Sequence, residues 1–241
     1  MVGVGFIVGQ VVALLLVDAT AAALGKGQDL TAIAKLAVPP EWYVVSSLVG
    51  LWVGFGGAPW LASRFRGTRR VAADLGLRFR VADLVGIAVG IGGQIVVSIL
   101  YLPFRSHLHN FNAPTNKLTG GAHGAGFVVI AVLTVVGAPF FEELFFRGLL
   151  LRALARLLTP LRPGPSRARA LGLAGAVVID GLLFGLAHFE AQQFAGLAVF
   201  GMILALVSYR TGRLGMNMVA HGTFNLVAVL AVLNTRGGII H

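Results

Sequence analysis

The sequence predicts an all-α fold, a polytopic integral membrane bundle of about seven helices, with six to eight as the range. Three observations predict it. The chain is 57% hydrophobic and 12% charged, where a soluble domain carries about 25% charged residues. Apolar runs close to the ~20 residues that span a bilayer recur at about 3–24, 42–63, 82–102, 126–157, 170–189, 194–209 and 214–234. No stretch alternates apolar and polar residues for long enough to build a barrel strand. The chain has no cysteine, so disulfides and thiolate metal sites are excluded.

The net charge of +10 does not signal nucleic acid, because the basic residues fall in short loops between apolar runs, facing anionic lipid. Six arginines lie in 64–80 (Arg64, Arg66, Arg69, Arg70, Arg78 and Arg80). Five lie in 152–169 (Arg152, Arg156, Arg162, Arg167 and Arg169), and Arg210 and Arg213 close the sixth run. The alternate loops hold Lys26, Lys35, Arg105, Lys117 and Arg236. Thirteen against five predicts a cytoplasmic N-terminus and a C-terminus on the other side. The Ala-, Gly-, Val- and Arg-rich composition suits a bacterial plasma membrane.

The first run has no Lys or Arg before Lys26. A secretory signal opens with positive charge, so a retained helix is expected. Asp18, near its outer end, is expected to reach the interface. Runs two and three carry Gly50 and Gly54, then Gly86, Gly90 and Gly93, a spacing that lets helices approach closely. The polar loop at about 103–125 holds His107, His109 and His123, expected to be ordinary solvated histidines.

The fourth run extends from Gly126 to Leu158, with Glu142 and Glu143 near its midpoint and Arg147 four residues on. Pro139 removes a backbone donor just before the pair and is expected to kink the helix there. The stretch 159–169 reads as a basic cytoplasmic linker inside a single membrane domain, 1–241. Asp180, Phe184 and His188 are spaced by four, as are Asn217, His221 and Asn225, so each set shares a helix face. The sixth run has no ionisable residue before Arg210 and is expected to be scaffold.

Charges at membrane depth cost roughly 2.5–3.5 kcal/mol each on insertion scales, so these carboxylates need a reason. Glu143 and Arg147 form an acid-before-base (i, i+4) pair. Glu142 lies about 100° further round the helix and is free to face elsewhere. An unpaired carboxylate suits a general base that takes a proton from water, with His188 as a second acid or base. His221 and Asn225 can stabilise the oxyanion of a tetrahedral intermediate. The same atoms permit another reading, in which Glu142, His188 and His221 bind zinc and leave a position for water. Metal-bound and Glu-activated water both stay open. So does a non-enzymatic alternative, a transporter or a bacteriocin-immunity or scaffold protein using the same polar cavity, because pumps also line their paths with Glu, Asp and His.

Three motifs carry a resemblance. EELFFR at 142–147, FGLAH at 184–188 and HGTFN at 221–225 resemble the EExxxR, FxxxH and HxxxN motifs of the CPBP intramembrane proteases. That family holds the CAAX prenyl endopeptidases and bacteriocin-processing proteins. The resemblance covers about 126–234, the motif-bearing core, while 1–125 is divergent. It implies a helical fold whose cavity opens toward the membrane and cytoplasm, and hydrolysis of a peptide bond in a membrane-associated or lipidated peptide. Carried over, Glu142 activates water, His188 assists, His221 and Asn225 hold the oxyanion, and Glu143 and Arg147 support the site. Members are described both as zinc metalloproteases and as metal-independent glutamate enzymes. The implied partners are membrane lipids and the peptide substrate, without nucleic acid. The linker at 159–169 lengthens the usual spacing of the first two motifs. His188 falls at the end of helix five by count. It meets mid-helix Glu142 only if helix five starts below the bilayer surface or is strongly tilted.

Overall fold

The structure, a computed structural model, describes residues 1–26, 30–104, 119, 122–159 and 166–237. Among these, seven helices are long and apolar enough to cross a membrane. They are α1 (Val2–Ala23), α2 (Glu41–Arg66), α3 (Val81–Phe104), α4 (Gly124–Leu158), α5 (Arg167–Leu186), α6 (Phe194–Thr211) and α7 (Gly215–Asn234). Every end lies within three residues of the sequence expectation. No strand occurs among the described residues. The chain is therefore an integral membrane helical bundle.

Lipid supplies no hydrophobic drive between helices, so packing rests on close contact of small residues. On α1, Gly5, Gly9, Ala13, Val17 and Ala21 form the buried stripe, each four residues from the last. Gly54 of α2 lies against the backbone of Gly5 and Gly9, and Gly50 against Ala13, so any side chain at these points would part the helices. In the same way Gly86 and Gly90 of α3 seat on the α7 backbone at Met216 and Ala220. Val4, Ile7, Val11 and Leu14 of α1 point outward and are exposed, as a lipid-facing surface should be. Asp18 is exposed, as expected for a group at the interface. His123 is also exposed, and its backbone N–H donates to Glu41 Oε1 at 3.2 Å. His107 and His109 lie outside the described residues.

The Arg-bearing helix ends are tied together. Arg213 Nη2 pairs with Asp83 Oδ1 at 2.7 Å, and Leu214 N–H donates to Gly76 O at 2.8 Å. Arg152 Nη1 donates to Asp74 O at 3.1 Å. Asp74, between α2 and α3, accepts from Ser63 Oγ at 2.5 Å and Thr68 Oγ1 at 2.7 Å. The Ser63 hydroxyl first, and the Thr68 hydroxyl after it, hold this carboxyl below the usual carboxylate range. One end of the bundle thus gathers the arginine-rich connections.

Helix α4 has 35 residues, about 52 Å at 1.5 Å per residue, well beyond a hydrocarbon core of about 30 Å. Two stretches widen to π-helical geometry, Leu133–Gly137 and Leu144–Leu150, and they bracket the Glu pair. Proline explains the first. Pro139 has no N–H to give to the carbonyl one turn back, and the adjustment takes the form of a wide turn rather than a break.

Candidate active site

Arg147 organises the buried part of the site. Its Nη1 pairs with Glu143 Oε1 at 2.9 Å, and its Nη2 donates to Gly201 O of α6 at 2.9 Å. Its Nε lies 3.3 Å from Asp180 Oδ2 of α5. That contact is ionic and poorly aligned, since neither atom completes a hydrogen bond there. The guanidinium also stands 4.4 Å from the centroid of the Phe184 ring. Glu143, Arg147, Asp180 and Asn217 are fully buried. Asn217 Nδ2 donates to Glu143 Oε2 at 3.2 Å and to Leu204 O at 2.7 Å. Charges this dry persist only when paired and hydrogen-bonded, and this cluster draws partners from α4, α5, α6 and α7.

His221 connects the dry cluster to the cavity. Its Nδ1 lies 3.0 Å from Glu143 Oε1, which already pairs with Arg147. The carboxylate accepts, so Nδ1 carries the hydrogen and Nε2 presents a lone pair. His188 is set the same way, with Nδ1 2.8 Å from the Phe184 carbonyl. Both free Nε2 atoms face Glu142 Oε2, at 3.8 Å from His221 and 3.9 Å from His188. Glu142 Oε2 makes no hydrogen bond. Its side chain is 13% exposed and that of His188 30%, against 0% for Glu143. At 3.8–3.9 Å the groups are too far apart to bond directly.

The depth of His188 has a simple cause. Gly172 of α5 lies against the Leu158 carbonyl at the end of α4. From that level Glu142 is sixteen residues back along α4 and His188 sixteen residues on past α5, about 24 Å in each case. Helix α5 therefore starts beyond the end of α4, and its far end stops level with the middle of α4. His188 sits in the turn two residues after Leu186, beside Phe189, whose φ of 54° is unusual for a bulky residue.

Asn225 takes a place that Pro139 created. In a π-helical turn residue 139 would donate to the carbonyl five residues earlier, Thr134, but proline has no N–H. Asn225 Nδ2 donates to Thr134 O instead, at 2.9 Å. Its second amide N–H is left for another acceptor, and Asn225 lines the cavity.

The cavity holds about 1000 Å³, with Glu142, His188, His221 and Asn225 in its wall. Zinc with oxygen and nitrogen ligands at about 2.0–2.2 Å would bring donor atoms to roughly 3.3 Å of one another. The donor types suit such an ion, and the two Glu142–imidazole separations are 3.8 and 3.9 Å. Among the described residues no group of three His, Cys, Asp or Glu is placed to hold a metal.

All six site residues predicted from the sequence thus belong to one constellation. Sequence reasoning gave no role to Asp180 or Asn217, although each shares a face with a predicted histidine at a spacing of four. It also read α6 as scaffold, yet the carbonyls of Gly201 and Leu204 hold Arg147 and Asn217. Backbone acceptors leave no trace in residue types.

Fold and site together define a polytopic membrane protein with a carboxylate–imidazole centre facing a cavity within its own bundle. Residues 124–227 match the family model for type II CAAX prenyl endopeptidase, Rce1-like. That match takes in all three motifs and less than half of the chain, which over this part is similar to the CPBP family of intramembrane proteases. Comparisons with curated proteins and with solved structures gave no match.

Proposed function

We propose that the protein is an intramembrane endopeptidase that hydrolyses a peptide bond with a water activated by Glu142. Glu142 takes a proton from the water, and the resulting hydroxide attacks the carbonyl carbon. The second N–H of Asn225 donates to the oxyanion, and the lone pair of His221 Nε2 accepts from the attacking water and orients it. His188 Nε2 relays the proton from Glu142 to the leaving nitrogen as the C–N bond breaks. The products are a carboxylate and an amine. Glu143 and Arg147 touch no reacting atom and fix the orientation of His221. No step is routed through a metal.

The observation that carries this reading is Glu142 Oε2, buried and without a hydrogen bond, with the Nε2 atoms of two imidazoles at 3.8 and 3.9 Å. The cavity wall supports a peptide as ligand. It is mostly apolar, with Tyr43, Ser47, Gln94 and Ser98 as polar points to meet backbone amides. The test uses purified protein in liposomes, a panel of membrane-inserted and lipidated peptides, and mass spectrometry to find cleavage. Glu142→Gln keeps the shape and removes the base, and cleavage should vanish. Cleavage that survives Glu142→Gln would overturn the assignment. Cleavage abolished by a chelator and restored by zinc would overturn the metal-free route.

A further inference from the structure

We propose that Gln94 of α3 is a substrate-binding residue, whose carboxamide oxygen accepts a backbone N–H of the peptide close to the bond that is cleaved. Between Gly86 and Tyr101 the helix is apolar apart from Gln94 and Ser98, and both of these line the cavity. A carboxamide at membrane depth is most simply a bond between helices, and one half of Gln94 serves that way. Its Nε2 donates to Phe224 O of α7 at 2.8 Å. Two glycines allow the reach, since Gly90 lies against Ala220 O and Gly93 against the rings of Phe200 and Phe224. A backbone carbonyl can only accept, so the nitrogen must face Phe224 and the oxygen is turned away from it. Gln94 Oε1 has no hydrogen-bond partner among the described residues, and it is open to the cavity and not sealed in protein.

Three carboxamides of the bundle separate packing from binding. Asn217 gives Nδ2 to Glu143 Oε2 and to Leu204 O and is fully buried, so no ligand reaches it. Asn225 and Gln94 each commit Nδ2 or Nε2 to a carbonyl of a neighbouring helix, Thr134 O and Phe224 O, and each lines the cavity. An amide clamped at one N–H presents its oxygen and its second N–H along the opposite edge, the pattern that pairs with a peptide backbone. Gln94 thus repeats the arrangement of Asn225, tied to the adjacent residue of α7. Phe224 lies three residues beyond His221, about 4.5 Å along the helix at 1.5 Å per residue. An extended peptide covers that in about one to two residues at roughly 3.3 Å each. With the scissile carbonyl held at Asn225, Gln94 Oε1 is placed for a backbone N–H within about two residues of it. Such a main-chain contact sets the register of the peptide without selecting its side chains. This role rests on the hydrolytic reading of the site.

The test is a cycle between protein and peptide, run in liposomes with a synthetic peptide that the parent chain cleaves. Each backbone N–H near the cleaved bond, other than that bond's own, is replaced in turn by an ester oxygen, which removes the donor and keeps the shape. Each ester is compared with the all-amide peptide on the parent chain and on Gln94→Met, which removes the carboxamide at similar size. Cleavage of the same amide bond is followed by mass spectrometry. One ester should raise KM on the parent chain by about 3–10-fold, the usual effect of one lost hydrogen bond, with kcat near its all-amide value. On Gln94→Met that ester and the amide should have equal KM. A part in helix packing alone would shift every peptide together and leave the ester penalty in place. An ester penalty equal on both chains at every position would overturn the proposal. If Gln94→Met does not fold, Gln94→Asn takes its place in the cycle, because a carboxamide one methylene shorter cannot hold Phe224 O and the peptide together. Cleavage without coupling sinks the role of Gln94 alone, whereas a parent chain that cleaves no peptide of the panel overturns the hydrolytic reading beneath it.

Discussion

Glu142 and Glu143 differ by one position and about 100° around one helix, yet Glu143 accepts from three side chains in a sealed layer while Glu142 Oε2 accepts from none. Composition cannot separate them, and register does. Arg147, four residues after Glu143, selects which carboxylate is neutralised within the helix. Its neighbour is turned toward the cavity. Two identical side chains thus become an anchor and a reactive group, and the difference can be broken from either side.

The largest effect is expected on the cavity side. Glu142→Gln should lower turnover by roughly 10²–10⁴-fold, the usual contribution of a general base. Its thermal unfolding in detergent should match the parent protein, because no hydrogen bond is lost. A fall in unfolding temperature as large as that of Glu143→Gln would erase the contrast.

On the sealed side the main effect is on stability. Glu143→Gln leaves buried Arg147 with only the poorly aligned Asp180 contact for its charge, and breaking a buried pair by one member destabilises by about 3–5 kcal/mol. Differential scanning fluorimetry should show that loss. Joint replacement, Glu143→Met with Arg147→Met and Asp180→Leu, should recover part of it, since no lone charge then remains. The triple variant should fold yet stay inactive, because His221 has lost the carboxylate that sets its tautomer. Turnover near the parent level in that variant would show that the anchor does not position His221.

A smaller effect is expected where the two regions meet. Asn225→Ala leaves Thr134 O without its donor, at a cost of about 1–3 kcal/mol. Pro139→Ala supplies a backbone N–H that can reach the same carbonyl. The pair of substitutions should therefore be less destabilising than their separate effects predict, by a double-mutant cycle of unfolding free energies. Additive effects would sink the account of the wide turn. Turnover should remain low in Asn225→Ala and in the double variant, since the Asn225 donor to the oxyanion is gone in each.

How much of this was legible in the sequence follows from what residue types can encode. Seven apolar runs and the three motifs located the helices and the six predicted site residues, because hydrophobic length and (i, i+4) spacing are written in side chains. Depth was only partly legible. The meeting of His188 with Glu142 depends on α5 starting beyond the end of α4, which is set by Gly172 packing on the Leu158 carbonyl. Asp180 and Asn217 were visible on the right faces, but their pairing with Arg147 and Glu143 required the approach of three helices to a fourth. The Pro139–Asn225 exchange was half legible: the missing donor could be read, its replacement from 86 residues away could not.

Asp74 offers the mildest version of the contrast, a carboxylate anchored outside the membrane-spanning segments. Its partners, Ser63 and Thr68, lower its proton affinity in the folded protein. A group held below its unfolded value stabilises the fold above that value and loses the contribution as pH falls through the folded one. The parent protein should therefore lose stability below about pH 4, the ordinary Asp range, relative to Asp74→Asn, which has no such titration. The difference in unfolding temperature between the two, followed from pH 6 to pH 3, should shrink as the acid protonates Asp74. It should stay well below the Glu143→Gln effect, since the rim site is screened by water while Glu143 has only protein around it. A pH-independent difference would mean that Asp74 works through packing and not through its charge, and the arginine-rich end would then owe its cohesion to Arg213–Asp83 and the Leu214–Gly76 contact.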